Sequence, residues 1–211
     1  MSAPVKAILV DYGGVLTNPL AETVAAYAAL HGVAPELIGQ AQRVAGRHLG
    51  ADPMALLEKG AIAEADFLAA VGAALTVLSG RTFPVHRFRE QWFAGRTLNA
   101  GFLSEVLALR GQGYRLALAT NNVREWREQW QRLVSPDLFD VVVDSSAEGV
   151  RKPEPEFFEI ALARLGLPAQ ECLLVDDSEE NCAAARALGL RTVRFDSSAQ
   201  AVRDVHEELT A

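Results

Sequence analysis

The chain has 211 residues, half of them hydrophobic, with 27 acidic and 20 basic side chains and a formal charge of −7. That is enough apolar material for one core plus a modest second unit, and an acidic balance with no Lys/Arg run argues against nucleic acid or anionic membrane surfaces as partners. Cys172 and Cys182 lack the number for a disulfide framework and the spacing for zinc, so both are expected to be reduced and buried. No stretch reaches the ~18 apolar residues of a membrane span, and Met1 leads into Val5–Val10 without a signal-type segment. A cytoplasmic protein is therefore expected.

The first predicted element is a strand ending at Val10, followed by Asp11 and the glycines Gly13 and Gly14. From Asn18 to Gly95 the chain is rich in alanine and leucine and lacks a convincing strand. Breaks fall at His31–Pro35, Gly50–Pro53 and Gly80–Pro84, so this region is predicted to be all-helical. Asn18-Pro19 is expected to open its first helix, with Asn18 as the cap. Phe102–Arg110 then places Leu103, Val106, Leu107 and Arg110 on one helical stripe, stopped by Gly111 and Gly113. Further aliphatic segments end at Ala119, Val143, Val175 and Phe195, with helical spacing between the later ones. This alternation predicts an α/β fold, a parallel sheet with helices over it. An insertion after the first strand would sit at the carboxyl edge, where such sheets bind ligands.

Residues able to do chemistry gather at the predicted strand ends. Asp11 would end a buried strand, where an unpaired carboxylate is costly and calls for a metal, a lysine or backbone donors; taken alone, it reads equally well as a turn or cap residue. Thr120-Asn121-Asn122 offers a hydroxyl and free N–H groups suited to an anion, and is also ordinary capping chemistry. Lys152, in Gly149-Val-Arg-Lys-Pro-Glu-Pro155, is one of three lysines against 17 arginines. A compact ammonium there suits a point charge between a carboxylate and a phosphate, though a surface lysine in a turn has the same local sequence. Asp176 and Asp177 are adjacent carboxylates that repel unless a cation relieves them, and oxygen-only ligands favour Mg²⁺.

Asp11, Thr120, Lys152 and Asp176-Asp177, in that order, resemble the four motifs of the haloacid dehalogenase-like hydrolase superfamily. The resemblance extends over nearly the whole chain, and four motifs in sequence are more specific than any one. It is to subfamily I, with a helical C1 cap, in the branch of sugar-phosphate phosphatases and the N-terminal phosphatase of soluble epoxide hydrolases. The fold it implies is a Rossmann-like core over residues 1–17 and 96–211, with a cap over residues 18–95. It further implies a monomeric or homodimeric Mg²⁺-dependent phosphatase of small phosphate esters, working through an aspartyl-phosphate. By the same resemblance Asp11 is the nucleophile and Lys152 orients it and the substrate. Thr120, Asn121 and Lys152 hold the phosphate. Asp11, the Gly13 carbonyl and Asp177 bind the metal, with Asp176 behind or alternating with Asp177.

Gly13 departs from the pattern, because family phosphatases usually carry there a second aspartate that protonates the leaving alcohol and then activates water. Three readings follow: a phosphatase that works without that acid, a phosphate-binding or scaffold protein without turnover, and a dehalogenase, which needs no acid but works without metal. The remaining features are expected to be structural. Trp126 and Trp130 are read as packing residues, as are Trp92-Phe93; the four histidines and Arg124 are given no role.

Overall fold

The computed structural model describes residues 3–210; residues 1, 2 and 211, which the expected core boundaries include, lie outside the described residues. Strand β1 (Ala7–Val10) is entirely buried and runs into the turn Tyr12–Leu16. Five helices follow, α1 (Leu20–Leu30), α2 (Pro35–Leu49), α3 (Pro53–Glu58), α4 (Glu64–Ser79) and α5 (Phe88–Ala94). The predicted breaks at Gly50 and Gly80 are left-handed helix ends, as glycine permits. A further break between α3 and α4 was not foreseen. Asn18 is not the α1 cap: Pro19 holds that position, and the Asn18 amide instead bonds Glu22, the Gly95 carbonyl and the Thr97 N–H.

The chain returns through Arg96–Asn99 into α6 (Ala100–Gly111). It then alternates through β2 (Arg115–Thr120), α7 (Arg127–Leu133), β3 (Val141–Asp144), the single turn α8 (Ser145–Glu148), α9 (Pro155–Leu165), β4 (Cys172–Asp176), α10 (Glu179–Ala187), β5 (Arg191–Arg194) and α11 (Ser198–Thr210). All strands pair in parallel, in the order β3-β2-β1-β4-β5.

Successive residues of a strand face opposite sides, and both sides here are covered. Ile8 and Val10 pack with Phe102, Val106, Trp130 and Val205 on one face. Ala7 and Leu9 pack with Phe157, Phe158, Ala161 and Ala185 on the other. Helices α1–α5 hold a third apolar cluster, which includes Tyr27, Phe67, Phe88 and Trp92 and takes in Val123 and Trp126 from the connection after β2. The segments leaving and re-entering the sheet layer touch through a bridge between Thr17 and Leu98. Both cysteines are free and buried. No helix among the described residues is long and apolar enough to cross a membrane.

Candidate active site

The site follows from register. Val10 pairs with Val175, so the next residues, Asp11 and Asp176, emerge side by side at the carboxyl edge, and the Asp11 N–H donates to the Val175 carbonyl at 3.0 Å. The β1/β4 junction is where the strand order reverses, the place at which open α/β sheets form their crevice.

Lys152 reaches this edge from the segment before α9. It is 1 % exposed, and its Nζ donates to Asp11 Oδ1 at 2.7 Å and to Asp176 Oδ2 at 2.6 Å. Asp176, fully buried, also accepts at Oδ1 from the Ser178 N–H and the Asn181 amide, each at 2.9 Å. Its oxygens are thus engaged with protein donors. Asp177 differs: it is exposed, and the ammonium of this corner is shared between Asp11 and Asp176.

Carboxylate oxygens of Asp11, Asp176 and Asp177 lie within 4.8 Å of one another. Burial pushes the Asp11 carboxyl up to about 7, against the pull of Lys152 and with the added push of Asp176 and Asp177. Partial burial and Asp176 also raise Asp177. Burial alone would lower the Lys152 ammonium, but its two carboxylate partners raise it above its ordinary value. Three carboxylates around one ammonium leave an excess of negative charge that a hard divalent cation would relieve. Space is reserved for the third of them, since a Cβ on Gly14, whose φ is +82°, would stand 2.2 Å from Asp177 Oδ2. The donor set therefore fits Mg²⁺.

Asp11, Lys152 and Asp177 open onto a cavity of about 500 Å³ between the sheet edge and α1–α3, lined also by Gly13, Arg96, Asn121 and Asn122. Its wall on the side of α1–α3 combines Leu20, Val24, Ile38 and Met54 with Glu36, Gln42, Arg43 and Glu58, and Trp92 and Trp126 line it too. The Asn121 side chain clamps the Lys152 main chain, donating to its carbonyl and accepting from its N–H, both at 2.9 Å. Thr120, the last residue of β2, is buried, its hydroxyl 3.5 Å from the Asn122 amide. The expected helix after this turn is delayed to Arg127, behind a 3₁₀ turn at Arg124–Trp126.

Sequence reasoning missed three contributors. Arg96 lies on the returning segment, and its Nη2 is 3.9 Å from where a Cβ on Gly13 would be. Asn181 buttresses Asp176. Half-buried Glu58 of α3 meets Arg151, beside Lys152, at 2.7 Å. Arg96 and Glu58 belong to no motif, so only the fold reveals them; Asn181 ends the fourth motif, but its bond to Asp176 is a contact that only the fold supplies. Trp126 and Trp130 are both buried as expected but part company: Trp130 packs edge-on against Tyr12 in the sheet layer, while Trp126 joins Trp92 and Phe93. Arg124 donates to the Ser146 carbonyl.

Comparison with known proteins gives a match to the family described as haloacid dehalogenase-like hydrolase over residues 5–189. Acyl-CoA dehydrogenase family member 10 of Mus musculus is 28% identical over 95% of this chain, which spans 19% of that protein's length. A glyceraldehyde 3-phosphate phosphatase of Pyrococcus abyssi is 40% identical over 43% of this chain and 39% of its own. The chain thus spans less than half the length of either relative. Among solved structures, a HAD-family enzyme of Bacteroides thetaiotaomicron in complex with magnesium and inorganic phosphate superposes with a TM-score of 0.68 at 23% identity, covering 90% of this chain and 93% of that one. The L-2-haloacid dehalogenase of Xanthobacter autotrophicus superposes at 0.64 and 20% identity, covering 90% and 77%. At such identities these structures speak for the fold alone.

Proposed function

This chain belongs to the haloacid dehalogenase-like hydrolase family, and from that premise we propose that it is a Mg²⁺-dependent phosphatase of small phosphate esters, acting through an aspartyl-phosphate on Asp11. The observation that carries this reading is the shared ammonium of Lys152, bonded at once to Asp11 and Asp176 with Asp177 beside them at the cavity wall. A carboxylate meeting an anionic phosphate needs positive charge between them. Lys152 supplies one charge and holds Asp11 Oδ1, leaving the other oxygen of Asp11 to attack phosphorus. Mg²⁺, held by Asp11, Asp177 and the Gly13 carbonyl with Asp176 behind them, would supply further positive charge when bound. Thr120 and Asn121 are the proposed partners of the phosphoryl oxygens, with the Asn121 amide also fixing the backbone of Lys152.

Residues 18–95 act in this reading as a cap over residues 1–17 and 96–211. Its wall of Leu20, Val24, Ile38 and Met54 favours an ester whose organic part is at least partly apolar. The test is hydrolysis of an aryl phosphate with and without Mg²⁺ by the protein and by Asp11→Asn. Metal-dependent turnover lost in the variant is expected; equal turnover would remove Asp11 from the nucleophile's role.

Gly13 favours one second reading, a phosphate-binding protein without turnover, which predicts affinity for phosphate esters and no hydrolysis across a substrate panel. A haloacid in that panel tests the dehalogenase reading, which predicts halide release without metal. The three clustered carboxylates weigh against it, because they repel an anionic haloacid unless a cation is present.

A further inference from the structure

The gap at position 13 faces a charged group. Gly13 has φ −78° and ψ 120°, so a side chain there would project in the ordinary way for an L-residue. Arg96 Nη2 lies 3.9 Å from where such a Cβ would stand. The other end of the guanidinium is anchored, with Nη1 donating to Thr17 Oγ1 at 3.1 Å and to the Asn18 carbonyl at 3.2 Å. Thr17 Oγ1 is itself 3.4 Å from the Gly14 N–H, so the anchor is tied to the turn that follows Asp11. Arg96 and Asp11 line the same cavity.

In an in-line displacement the leaving oxygen lies opposite the attacking one, so it departs within the cavity that Asp11 and Arg96 share. We infer that Arg96 is a catalytic residue at this oxygen, offering a fixed positive charge and N–H donors where the common family pattern offers a proton. The inference rests on the phosphatase reading above. A guanidinium keeps its protons, so the chemistry balances through solvent. Asp11 forms the new bond to phosphorus as the ester P–O bond breaks. The departing oxygen leaves as an alkoxide or aryloxide against Arg96 and takes its proton from water. A second water then attacks phosphorus, freeing Asp11 and inorganic phosphate and giving its proton to solvent.

Electrostatic assistance of this kind matters in proportion to the charge that develops on the leaving oxygen. It should therefore be felt most with alkyl esters and least with nitrophenyl phosphate. The experiment compares kcat/KM of the protein with Arg96→Ala and Arg96→Lys on nitrophenyl, phenyl and alkyl phosphates at saturating Mg²⁺. For Arg96→Ala the expected loss is about 10²–10³-fold on alkyl esters, the range seen when one oxyanion donor is removed, and roughly tenfold smaller on the nitrophenyl ester. Arg96→Lys falls between, and millimolar guanidinium ion restores part of the alkyl-ester rate to Arg96→Ala. Should Arg96→Ala fail to fold, Arg96→Lys still carries the comparison, with a loss that grows along the ester series. A loss of the same size on every ester, with no rescue by guanidinium, would overturn the inference and reduce Arg96 to an anchor of Thr17 and Asn18. If the unaltered protein hydrolyses none of the esters, the phosphatase reading falls and takes this inference with it.

Discussion

Asp11 and Lys152, 141 residues apart in the chain, meet at 2.7 Å, and the same Nζ stands 2.6 Å from Asp176. One ammonium therefore holds together two strand ends that would otherwise repel. Lys152→Met would leave both carboxylates buried and facing one another, at a cost of about 3–5 kcal/mol when one partner of a buried pair is removed. The expected result is a lower urea midpoint together with lost turnover, and a larger gain in midpoint on adding Mg²⁺ than the unaltered protein shows. A variant as stable as its parent in the absence of metal would mean that the two carboxylates do not need Lys152.

Gly14 is required by two independent constraints, a φ of +82° and the closeness of Asp177 to its missing Cβ. Gly14→Ala should cost on the order of 1 kcal/mol in backbone strain and push the Asp177 carboxylate aside. Mg²⁺ affinity, followed by calorimetry, should weaken by about 10–100-fold, as when groups that orient metal ligands are lost. Unchanged affinity would take Asp177 out of the proposed metal site.

Restoring the usual aspartate tests what the site lacks. Gly13→Asp meets no backbone obstacle, but its carboxylate would be within reach of Arg96 and so held ionised. We expect little gain on alkyl phosphates from Gly13→Asp alone, and a clear gain when it is combined with Arg96→Gln, measured against Arg96→Gln itself. A large gain from Gly13→Asp alone would show that the guanidinium does not control that space.

Alkaline stability should follow the buried thiols, Cys172 and Cys182, and the buried phenols, Tyr12 and Tyr27. Burial pushes the Cys172 thiol up to about 11 and the Tyr27 phenol up to about 12. In the unfolded chain these groups ionise near roughly 8.5 and 10. Between those limits the unfolded state has lost protons that the folded state keeps, so stability present at lower pH is lost as pH rises. Urea midpoints should fall from about pH 8 to about pH 10, and Cys172→Ala should flatten the first part of the fall. An identical slope in the variant would mean that Cys172 does not contribute.

Much of this site was legible because strand ends are legible. Aliphatic runs stopping at Asp11, Thr120 and Asp176 announced a parallel sheet, and a sheet whose β1 and β4 pair in register must bring Asp11 beside Asp176. Lys152 stood out among the arginines, and the structure buries it against both carboxylates. Side-chain contacts between distant segments were not legible. Asn before Pro has the local sequence of a helix cap, yet the Asn18 amide is taken by Gly95 and Thr97, partners that only the return of the chain supplies. The role of Asn121 as a clamp on the Lys152 backbone depends likewise on two loops meeting. Trp126 and Trp130 shared a spacing but not a face, because a 3₁₀ turn precedes α7 and alters the helical phase between them.

The Asp11, Lys152, Asp176 and Asp177 network draws every one of its side chains from the sheet and its carboxyl-edge loops, and none from Leu20–Ala94. The proposed reactive centre and the wall proposed to meet the substrate's organic part thus come from separate segments of one chain. Exchanging the five-helix insert for a foreign one, joined at Asn18 and Arg96, would retarget the proposed catalyst while leaving its charges, Arg96 included, where they are.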